Sequence, residues 1–455
     1  MSRKIAHVII VGVLGLYLVA CSAATPTSMT PTPNQPPVIA NTPEPGALAI
    51  SSTNAFVDTY GAYRVVGMLV NQSSNVLTSI ELAIEIKDTS GNSLLKDNGN
   101  PVANAKFHPM LYTLAPGESS PFEYSYDTAN GIPASYSVKI SSLKSGDANR
   151  ANLTAENVQL IDNGSGWYYL TGSLVNKGNQ WARINDLAGA ILDPSNNVLS
   201  ADWSATYATE LAPTGDSSGA DRTPFEINFP KPGGSVTPPW SLYWDADVVD
   251  NASTYPVTVV ITNGYLDQYG SQHIVGWVTN NSDKPLNTLV VAGLYAQNGN
   301  VLDSGFSYLP IPVKASASVP FSVSSFNNVD YNPAQAALVR TFSAQVDPGS
   351  TNPPNDEYVE LKASGETVQK DGAIWTINGS ITNTSDKNLG SATVIVSVLD
   401  NQNNLVAMEF TTVFSSGAAI AAGETDTYSV SISLDPNIDS TGFTVTTTAT
   451  GDVSQ

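Results

Sequence analysis

The chain has 455 residues and a formal net charge of −21 at pH 7, since 40 acidic residues outweigh 19 lysine and arginine residues. This charge repels polyanions, which excludes nucleic acid as a partner and excludes attraction to anionic lipid head groups. Charged residues nevertheless make up only 13% of the chain and hydrophobic residues 41%, so the composition predicts folded domains and not an acidic disordered chain.

The first 21 residues have the pattern of a bacterial secretory signal. Arg3 and Lys4 precede an apolar run over residues 8–20, and Cys21 follows it directly. A transmembrane anchor is the alternative, but about 13 apolar residues are fewer than the ~20 that span a bilayer. The run ends in Leu-Val-Ala-Cys, which matches a lipobox, so this segment resembles a bacterial lipoprotein precursor. The resemblance implies a signal peptide over residues 1–20 and a lipid on Cys21 that anchors the protein on the extracytoplasmic side, at the cell surface or in the periplasm.

Residues 21–46 contain seven prolines, five threonines and a single charged residue, Glu44. Proline at this density prevents the pairing of strands and favours an extended, polyproline-like conformation. We therefore predict a disordered Pro/Thr-rich stalk between the signal peptide and the rest of the chain. Because Cys21 is the only cysteine, disulfides are excluded and each folded domain needs an apolar core of its own.

The rest of the chain repeats itself four times. A five-residue pattern, Gly-x-apolar-x-Asn, recurs at glycines that are 105, 104 and 103 residues apart. Its copies are Gly67–Asn71, Gly172–Asn176, Gly276–Asn280 and Gly379–Asn383. Apolar residues two positions before and two after each glycine give the period-two alternation of a half-buried strand. A glycine on the inward face of such a strand indicates a bulge or the close approach of a neighbouring backbone or ring.

This pattern is the first of three landmarks in each repeat. The second landmark is a break rich in Asp, Asn and Gly, which predicts a β-hairpin because these residues tolerate left-handed backbone geometry. Its copies are Asp88–Asn92, Asp193–Asn197, Ala296–Asn300 and Asp400–Asn404. The third landmark is a turn, such as Leu114–Glu118, that leads into a strand with an aromatic residue. These aromatic residues are Phe122, Phe225, Phe321 and Tyr428.

Together the landmarks predict a fold class. No segment has the sustained 3.6-residue apolar period of a capped helix, so we expect almost no helix. Six or seven short strands per unit predict an all-β fold of four tandem immunoglobulin-like antiparallel β-sandwiches. The predicted domains cover residues 47–145, 150–250, 255–347 and 357–450. We expect separate modules that each bury their own core and are joined by short linkers, not a solenoid.

The four units resemble the bacterial FxLYD domain. The pattern of that family has the Gly-x-apolar-x-Asn strand, a strand leading into Asp-x-x-Gly, and a Leu-x-Pro-Gly-Glu turn before an aromatic strand. The first unit fits best, with Gly67, Asp88, Pro116 and Phe122, whereas Ala296 replaces the turn aspartate in the third. The resemblance implies an extracytoplasmic β-sandwich module and assigns no chemistry to it.

Signals for catalysis and metal binding are weak. Only His108 and His273 follow the signal peptide, neither near a Gly-x-Ser-x-Gly elbow, so we expect no histidine-dependent enzyme. Asp88–Asn92 and Asp193–Asn197 space their oxygens as calcium loops do, but both lack glycine at position six and glutamate at position twelve. We therefore predict hairpin turns there, with no metal and no cofactor. A hydrolase that uses paired carboxylates is a minor hypothesis, which an acid pair in one deep cleft would support.

Five of the seven tryptophans fall in the second unit. A sandwich core typically holds one or two, so the others are candidates for stacking on a saccharide ring or a partner. Trp167 and Trp244 lie in alternating segments, and we expect them in the core. Trp181 and Trp203 lie in or beside loops, so we predict these two as ligand-binding residues.

These patterns favour a non-catalytic cell-envelope lipoprotein that displays immunoglobulin-like modules in a structural, adhesive or protein-binding role. The alternative is a carbohydrate-binding surface lipoprotein that uses the exposed tryptophans of the second unit. The expected partners are the membrane, through lipid on Cys21, and envelope proteins or polysaccharide.

Overall fold

The computed structural model describes residues 47–453 except 98, 165, 217–218, 232–237, 251–254, 331 and 415–419. The predicted signal peptide (1–20), Cys21 and the predicted stalk (21–46) lie outside the described residues. The described part of the chain is almost entirely antiparallel β-structure. Its single α-helix is α1 (Pro333–Ala336), and no helix within it has the length and apolar character needed to cross a membrane.

The first sandwich has two sheets. Its strands are β1 (Leu48–Val57), β2 (Ala62–Asn71), β3 (Val76–Lys87), β4 (Lys96–Asp97), β5 (Asn100–Pro101), β6 (Ala105–Phe107), β7 (Thr113–Leu114), β8 (Ser119–Asp127) and β9 (Ser135–Gly146). One sheet has the order β1-β2-β8. In the other, β3 pairs with β9 on one edge and with β6 and β7 on the other, while β4 and β5 pair only with each other. A 3-10 turn, Thr128–Asn130, separates β8 from β9.

The second sandwich repeats this arrangement. Its strands are β10 (Leu153–Asp162), β11 (Trp167–Asn176), β12 (Trp181–Leu192), β13 (Val198–Trp203), β14 (Glu210–Leu211), β15 (Arg222–Pro230) and β16 (Trp240–Val249). One sheet has the order β10-β11-β15. In the other, β12 lies between β16 on one edge and β13 and β14 on the other.

The third and fourth sandwiches have the same order of strands. The third contains β17 (Val257–Leu266), β18 (Gln272–Asn280), β19 (Leu289–Ala296), β20 (Val301–Tyr308), β21 (Ser318–Val323), α1, β22 (Val339–Val346) and a 3-10 turn (Pro348–Ser350). The fourth contains β23 (Tyr358–Asp371), β24 (Ile374–Thr382), β25 (Leu389–Leu399), β26 (Leu405–Val413), β27 (Thr425–Ser433) and β28 (Thr444–Val453). The third has sheets β17-β18-β21 and β20-β19-β22. In the fourth, β23 is long enough to pair with β28 at its start and with β24 along the rest, so it belongs to both sheets.

The predicted fold class is confirmed: the described chain is all-β and forms four tandem immunoglobulin-like antiparallel sandwiches. Apart from two-residue strands such as β14, each sandwich has six strands in chain order. The first, second and fifth of them form one sheet, and the third lies between the fourth and the sixth in the other. In the first sandwich, β6 and β7 take the place of the fourth strand. Every strand ladder among the described residues joins strands of the same sandwich.

Each repeated glycine lies directly opposite the aromatic residue of the third landmark. The register pairs Gly67 with Phe122, Gly172 with Phe225, Gly276 with Phe321 and Gly379 with Tyr428. A Cβ atom on Gly172 would lie 2.8 Å from Cζ of Phe225, and one on Gly379 would lie 2.6 Å from Cζ of Tyr428. The sequence leaves a bulge or the close approach of a backbone or a ring as alternatives, and a ring lies close to the glycine in every sandwich.

The asparagine of the same pattern is buried and ties together two turns of its sandwich. Asn71 Nδ2 donates to the carbonyl of Asn75 at 2.8 Å and to that of Leu114, at the start of the third landmark, at 2.9 Å. Equivalent bonds are made by Asn176, Asn280 and Asn383. Because a buried amide without partners is costly, this residue fixes the two turns relative to each other.

The turns rich in Asp and Asn have the left-handed residue that the sequence predicts. The fourth residue of each has φ between 63° and 83°: Gly91, Asn196, Gly299 and Asn403. In the second, third and fourth sandwiches these turns close the predicted hairpins. In the first sandwich the turn also forms, since Asp88 N–H donates to the carbonyl of Asn92 and Leu94 N–H to that of Ile86, both at 2.9 Å, but the ladder stops after the bridge between Lys87 and Ser93. Pro101 lacks the N–H that a returning strand would need, and β6 resumes pairing only at Ala105.

Each sandwich has its own core, but neighbouring sandwiches also share buried apolar contacts. On β2, Val65 and Leu69 face the first core, while Val66 and Met68 belong to a second cluster that includes Leu192 of the next sandwich. The cores of the third and fourth sandwiches form one continuous cluster. The sandwiches are therefore not separate modules joined only by linkers, because both faces of strands such as β2 are buried.

Candidate functional site

The structure separates the two tryptophans that the sequence singles out. Trp181 is the first residue of β12 and is partly buried, whereas Trp203 is the last residue of β13 and is 60% exposed. Trp203 pairs with Ala188, which lies seven residues along β12 from Trp181. At the rise of a β-strand this places the two positions about 23 Å apart, so they do not contact one sugar ring together.

Trp203 lines a cleft of about 490 Å³ at the junction of the first and second sandwiches. Six residues of each sandwich line this cleft. The first contributes the loop from His108 to Tyr112 and two residues of β8, and the second contributes Asn185–Leu187 of β12, the end of β13 and Tyr207. We call this the aromatic–acid cleft. A concave site of this volume is within the range typical of small-molecule binding sites.

Two exposed aromatic rings lie at the cleft, one from each sandwich. Trp203 is the paired residue at the end of β13, opposite Ala188, and its side chain is exposed. Tyr112 is 47% exposed, and the centre of its ring lies 5.3 Å from that of His108. His108 is held in turn by its Nδ1 atom, 2.9 Å from the carbonyl oxygen of Ile80. Both rings are thus exposed to solvent, and the backbone that carries each ring is held in place by its own sandwich.

Two carboxyl groups of the second sandwich lie beside these rings. Burial raises the pKa of Asp186 to about 7, although the N–H of Tyr112 donates to its Oδ2 at 3.4 Å and lowers it. Burial likewise raises the pKa of Asp202 to about 6, and its Oδ1 accepts the N–H of Trp203 at 2.8 Å. Both carboxyl groups therefore change protonation state near neutral pH. Asp186 contacts the backbone of Tyr112, and Asp202 contacts the backbone of Trp203.

Glu123 of β8 adds a third carboxyl group from the first sandwich. Burial raises its pKa to about 7, although the ion pair with Arg64 lowers it. The guanidinium of Arg64 also binds Asp58, with Nε 2.6 Å from Oδ2, so it is shared between two acids. Oε2 of Glu123 is buried and has no hydrogen-bond partner.

The cleft combines exposed ring faces with acids that either donate or accept hydrogen bonds, depending on pH. Aromatic rings bind flat, partly apolar surfaces, and carboxyl groups bind hydroxyl groups. This is the chemistry that a sugar ring requires, since it presents C–H faces and a rim of hydroxyls. Asp186, Asp202 and Glu123 line this one cleft, and acids gathered in a cleft are the observation that the hydrolase hypothesis asks for.

The other residues considered from the sequence have structural partners. Asp88 Oδ1 accepts the backbone N–H groups of Ser90 and Asn92 at 2.8 and 2.9 Å, and Asp193 forms the same bonds in its own turn. The ring of His273 stacks on that of Tyr265, with 4.8 Å between the ring centres. Across the described ranges, no group of three or more His, Cys, Asp and Glu residues is placed to bind a metal ion.

Sequence reasoning found Trp203 but missed the residues around it. Asp186 and Asp202 lie in strands whose residues are mostly apolar, and an acid inside such a strand is a signal that the sequence contains. Tyr112 and Glu123 belong to a different sandwich, so nothing in the sequence places them beside Trp203. Trp167, expected in the core, is partly buried, and its Nε1 donates to the hydroxyl of Tyr60 in the first sandwich at 2.7 Å.

No protein-family model and no curated protein sequence matches the chain. Among solved structures, red sea bream transglutaminase matches over 54% of this chain and 34% of its own, at 12% identity and a TM-score of 0.16. The native conformation of alpha-2-macroglobulin from E. coli matches over 86% of this chain and 27% of its own, at 9% identity and a TM-score of 0.13. The chain thus spans about a third or less of the length of these proteins. The resemblance to the FxLYD domain stays a prediction.

Proposed function

We propose that this chain is a non-catalytic, lipid-anchored protein of the cell envelope that binds carbohydrate in the aromatic–acid cleft. The observation that supports the binding role is the position of Trp203, which is 60% exposed beside three acidic residues and the exposed ring of Tyr112. An exposed indole in a concave site loses solvent contact only when a ligand covers it, so stacking there contributes to binding.

The charge of the cleft narrows the class of ligand. Asp186, Asp202 and Glu123 lie in a chain of net charge −21, so an acidic polysaccharide is repelled at the pH where these groups ionise. A volume of about 490 Å³ accommodates a small ligand or one end of a chain more readily than the broad surface of a protein partner. We therefore expect neutral sugars, or amino sugars that carry a positive charge.

Binding is tested with the full chain lacking its signal peptide, by calorimetric titration against a panel of neutral and amino-sugar oligosaccharides. Trp203→Ala and Tyr112→Ala are expected to weaken binding at least about tenfold each, since each removes a stacking face. Trp240→Ala is the matched control, because Trp240 is 36% exposed in the same sandwich and does not line the cleft. Trp181→Ala is expected to behave like this control. Equal binding by all four variants would contradict the proposal.

Glycoside hydrolysis is the second candidate, because acids with raised pKa values lie together in the cleft. A glycosidase needs one protonated acid and one carboxylate on opposite sides of the scissile bond. Release of reducing sugar from an oligosaccharide that binds, abolished by Asp186→Asn, would favour this candidate. We expect binding without product, since one oxygen of Glu123 and one of Asp186 are already held by protein groups.

The anchoring part of the proposal is supported by the lipobox that ends in Cys21. Cys21→Ala is expected to move the protein from the membrane fraction to the soluble fraction of the expressing bacterium and to abolish incorporation of labelled fatty acid. Retention of the label by this variant would rule out lipidation at this position.

A further inference from the structure

The junction between the second and third sandwiches holds two buried acids. Glu226 of β15 is 3% exposed, and Asp303 of β20 is fully buried. Their carboxyl groups lie within hydrogen-bonding reach of each other, and no ion pair formed by the described residues includes either one. Two carboxylates this close and this far from water are unfavourable unless a positive charge or a proton lies between them.

The same junction contains four buried oxygen atoms without a hydrogen-bond donor. They are Oε2 of Glu226, Oδ1 of Asp303, Oδ1 of Asn228 and Oδ1 of Asn328. Leaving one such acceptor unsatisfied costs about 1–3 kcal/mol, so four at one place require an explanation. Asn228 interacts with the carboxyl group of Glu226, and the backbone N–H of Asn328 donates to Oδ2 of Asp303, so both asparagines contact the acid pair.

Neighbouring donors hold the other polar atoms of these residues. The backbone N–H groups of Asn328 and Val329 both donate to Oδ2 of Asp303 at 2.8 Å. Nδ2 of Asn328 donates to the carbonyl of Leu302 at 2.8 Å. The side chains are therefore fixed while one oxygen of each remains free, which is the condition of a preformed ligand set.

We propose that Glu226, Asn228, Asp303 and Asn328 bind a hard divalent cation, with Ca²⁺ as the best match. Ca²⁺ is bound by carboxylate and amide oxygens in flexible geometry, and two carboxylates balance its charge. Each sandwich supplies one carboxylate and one amide, so the cation joins the second sandwich to the third. The hydroxyl groups of Thr206 and Ser304, 2.6 Å apart across the same junction, are close enough to complete the set through water.

A shared proton is the competing explanation. Burial raises the pKa of both Glu226 and Asp303, and one proton between them satisfies at most two of the four oxygens. The amide oxygens of Asn228 and Asn328 remain without a partner in that case. A cation bound to all four oxygens leaves none of them unsatisfied, so it explains more of the observations than a proton does. The turn acids differ, because Asp193 already accepts two backbone N–H groups and is only partly buried.

The test uses the chain without its signal peptide, freed of metal by a chelator and titrated with CaCl₂ by calorimetry at pH 7.5. The wild type is expected to bind Ca²⁺ and to unfold at a higher temperature when Ca²⁺ is present. Asp303→Asn keeps an oxygen for the N–H groups of Asn328 and Val329 but removes a charge, so affinity is expected to fall at least about tenfold. Asp193→Asn, in the exposed turn, is the matched control and is expected to bind as the wild type does.

A second measurement locates the ion even if Asp303→Asn fails to fold. Tb³⁺ replaces Ca²⁺ and emits light when a nearby aromatic ring is excited. Tyr169 is such a ring: it is buried, and it lies close enough to Glu226 and Asp303 for their charges to raise the pKa of its hydroxyl. We expect emission from wild-type protein that Ca²⁺ displaces, and at least about twofold weaker emission from Tyr169→Phe at unchanged Ca²⁺ affinity. No Ca²⁺ binding by the wild type, or equal binding by Asp303→Asn, would overturn the proposal and leave the shared proton as the explanation.

Discussion

At the scale of single residues, the unusual feature is the number of acids that are buried where sandwiches meet. Burial raises the pKa of Asp186 to about 7 and that of Asp202 to about 6, well above the values of these groups in an unfolded chain. Between about pH 4 and pH 7, the folded protein therefore binds protons that the unfolded chain releases. The free energy of unfolding consequently falls as the pH rises through this window.

Asp186→Asn tests this account. The variant has no proton to lose at this position, so its stability is expected to fall less between pH 5 and pH 8 than that of the wild type. The expected gain relative to wild type at pH 8 is about 1–2 kcal/mol, less than the full pKa shift implies, because the carboxyl is only partly buried. Urea denaturation followed by tryptophan fluorescence measures the difference.

Asp88→Asn is the control for this comparison. Hydrogen bonds from the backbone of its turn lower the pKa of Asp88, so its contribution to stability is complete above pH 4 and is lost only in stronger acid. This variant is expected to keep the wild-type slope between pH 5 and pH 8. If Asp186→Asn also keeps it, the burial of Asp186 has no energetic effect.

At the scale of strands and turns, the repeated residues serve folding. The glycine of the first landmark makes room for the aromatic ring of the third, and the asparagine four positions later bonds the turn before that ring. These contacts recur in all four sandwiches, whereas the aromatic–acid cleft occurs once. The residues that the four repeats share therefore indicate the fold. Residues that differ between the repeats are the better guide to function.

The glycine–ring contact predicts a specific pattern of rescue. Gly172→Ala is expected to cost about 1–3 kcal/mol, because its Cβ would overlap the side chains of Phe225 and Val158. Phe225→Leu removes part of that overlap, so the double variant is expected to be more stable than the sum of the two single effects. Gly276→Ala would meet the backbone oxygen of Val260, and Phe321→Leu is not expected to rescue it.

Hydrogen exchange of β11 and β18 measures these effects sandwich by sandwich, which matters because four sandwiches do not unfold as one two-state unit. A double variant of Gly172 and Phe225 whose effects simply add would contradict the proposed contact.

Much of the fold could be predicted at this scale, since alternation, turn residues and the repeat are local signals. A recurring glycine on the inward face of a strand predicted a bulge or a close approach, and the ring beside Gly172 is one of these alternatives. The early end of the hairpin ladder in the first sandwich was harder to predict from the sequence. It arises because the chain forms the β4–β5 pair, which includes Pro101, before β6 pairs with β3. The aromatic–acid cleft was not predictable beyond Trp203, since Tyr112 reaches it from another sandwich.

At the scale of the whole described chain, polar groups are concentrated where sandwiches meet. At the first junction, Arg150 binds Glu118 through two nitrogens, at 2.7 and 3.0 Å, and also binds Asp245. At the junction of the third and fourth sandwiches, the hydroxyl of Thr262 donates to the carbonyl of Leu405 at 2.7 Å. Both proposed binding sites lie at junctions, because there the side chains of two sandwiches converge without being needed for either core.

Ligand binding in the aromatic–acid cleft is best tested by ¹⁹F NMR of the chain, whose seven tryptophans are labelled as 5-fluorotryptophan, during titration with an oligosaccharide. We expect the resonance of Trp203, assigned by its loss in Trp203→Phe, to shift during the titration until the site is saturated. The resonances of Trp181 and Trp240 are predicted to stay in place. A shift at Trp181 with none at Trp203 would contradict the placement of the ligand at the junction of the first two sandwiches.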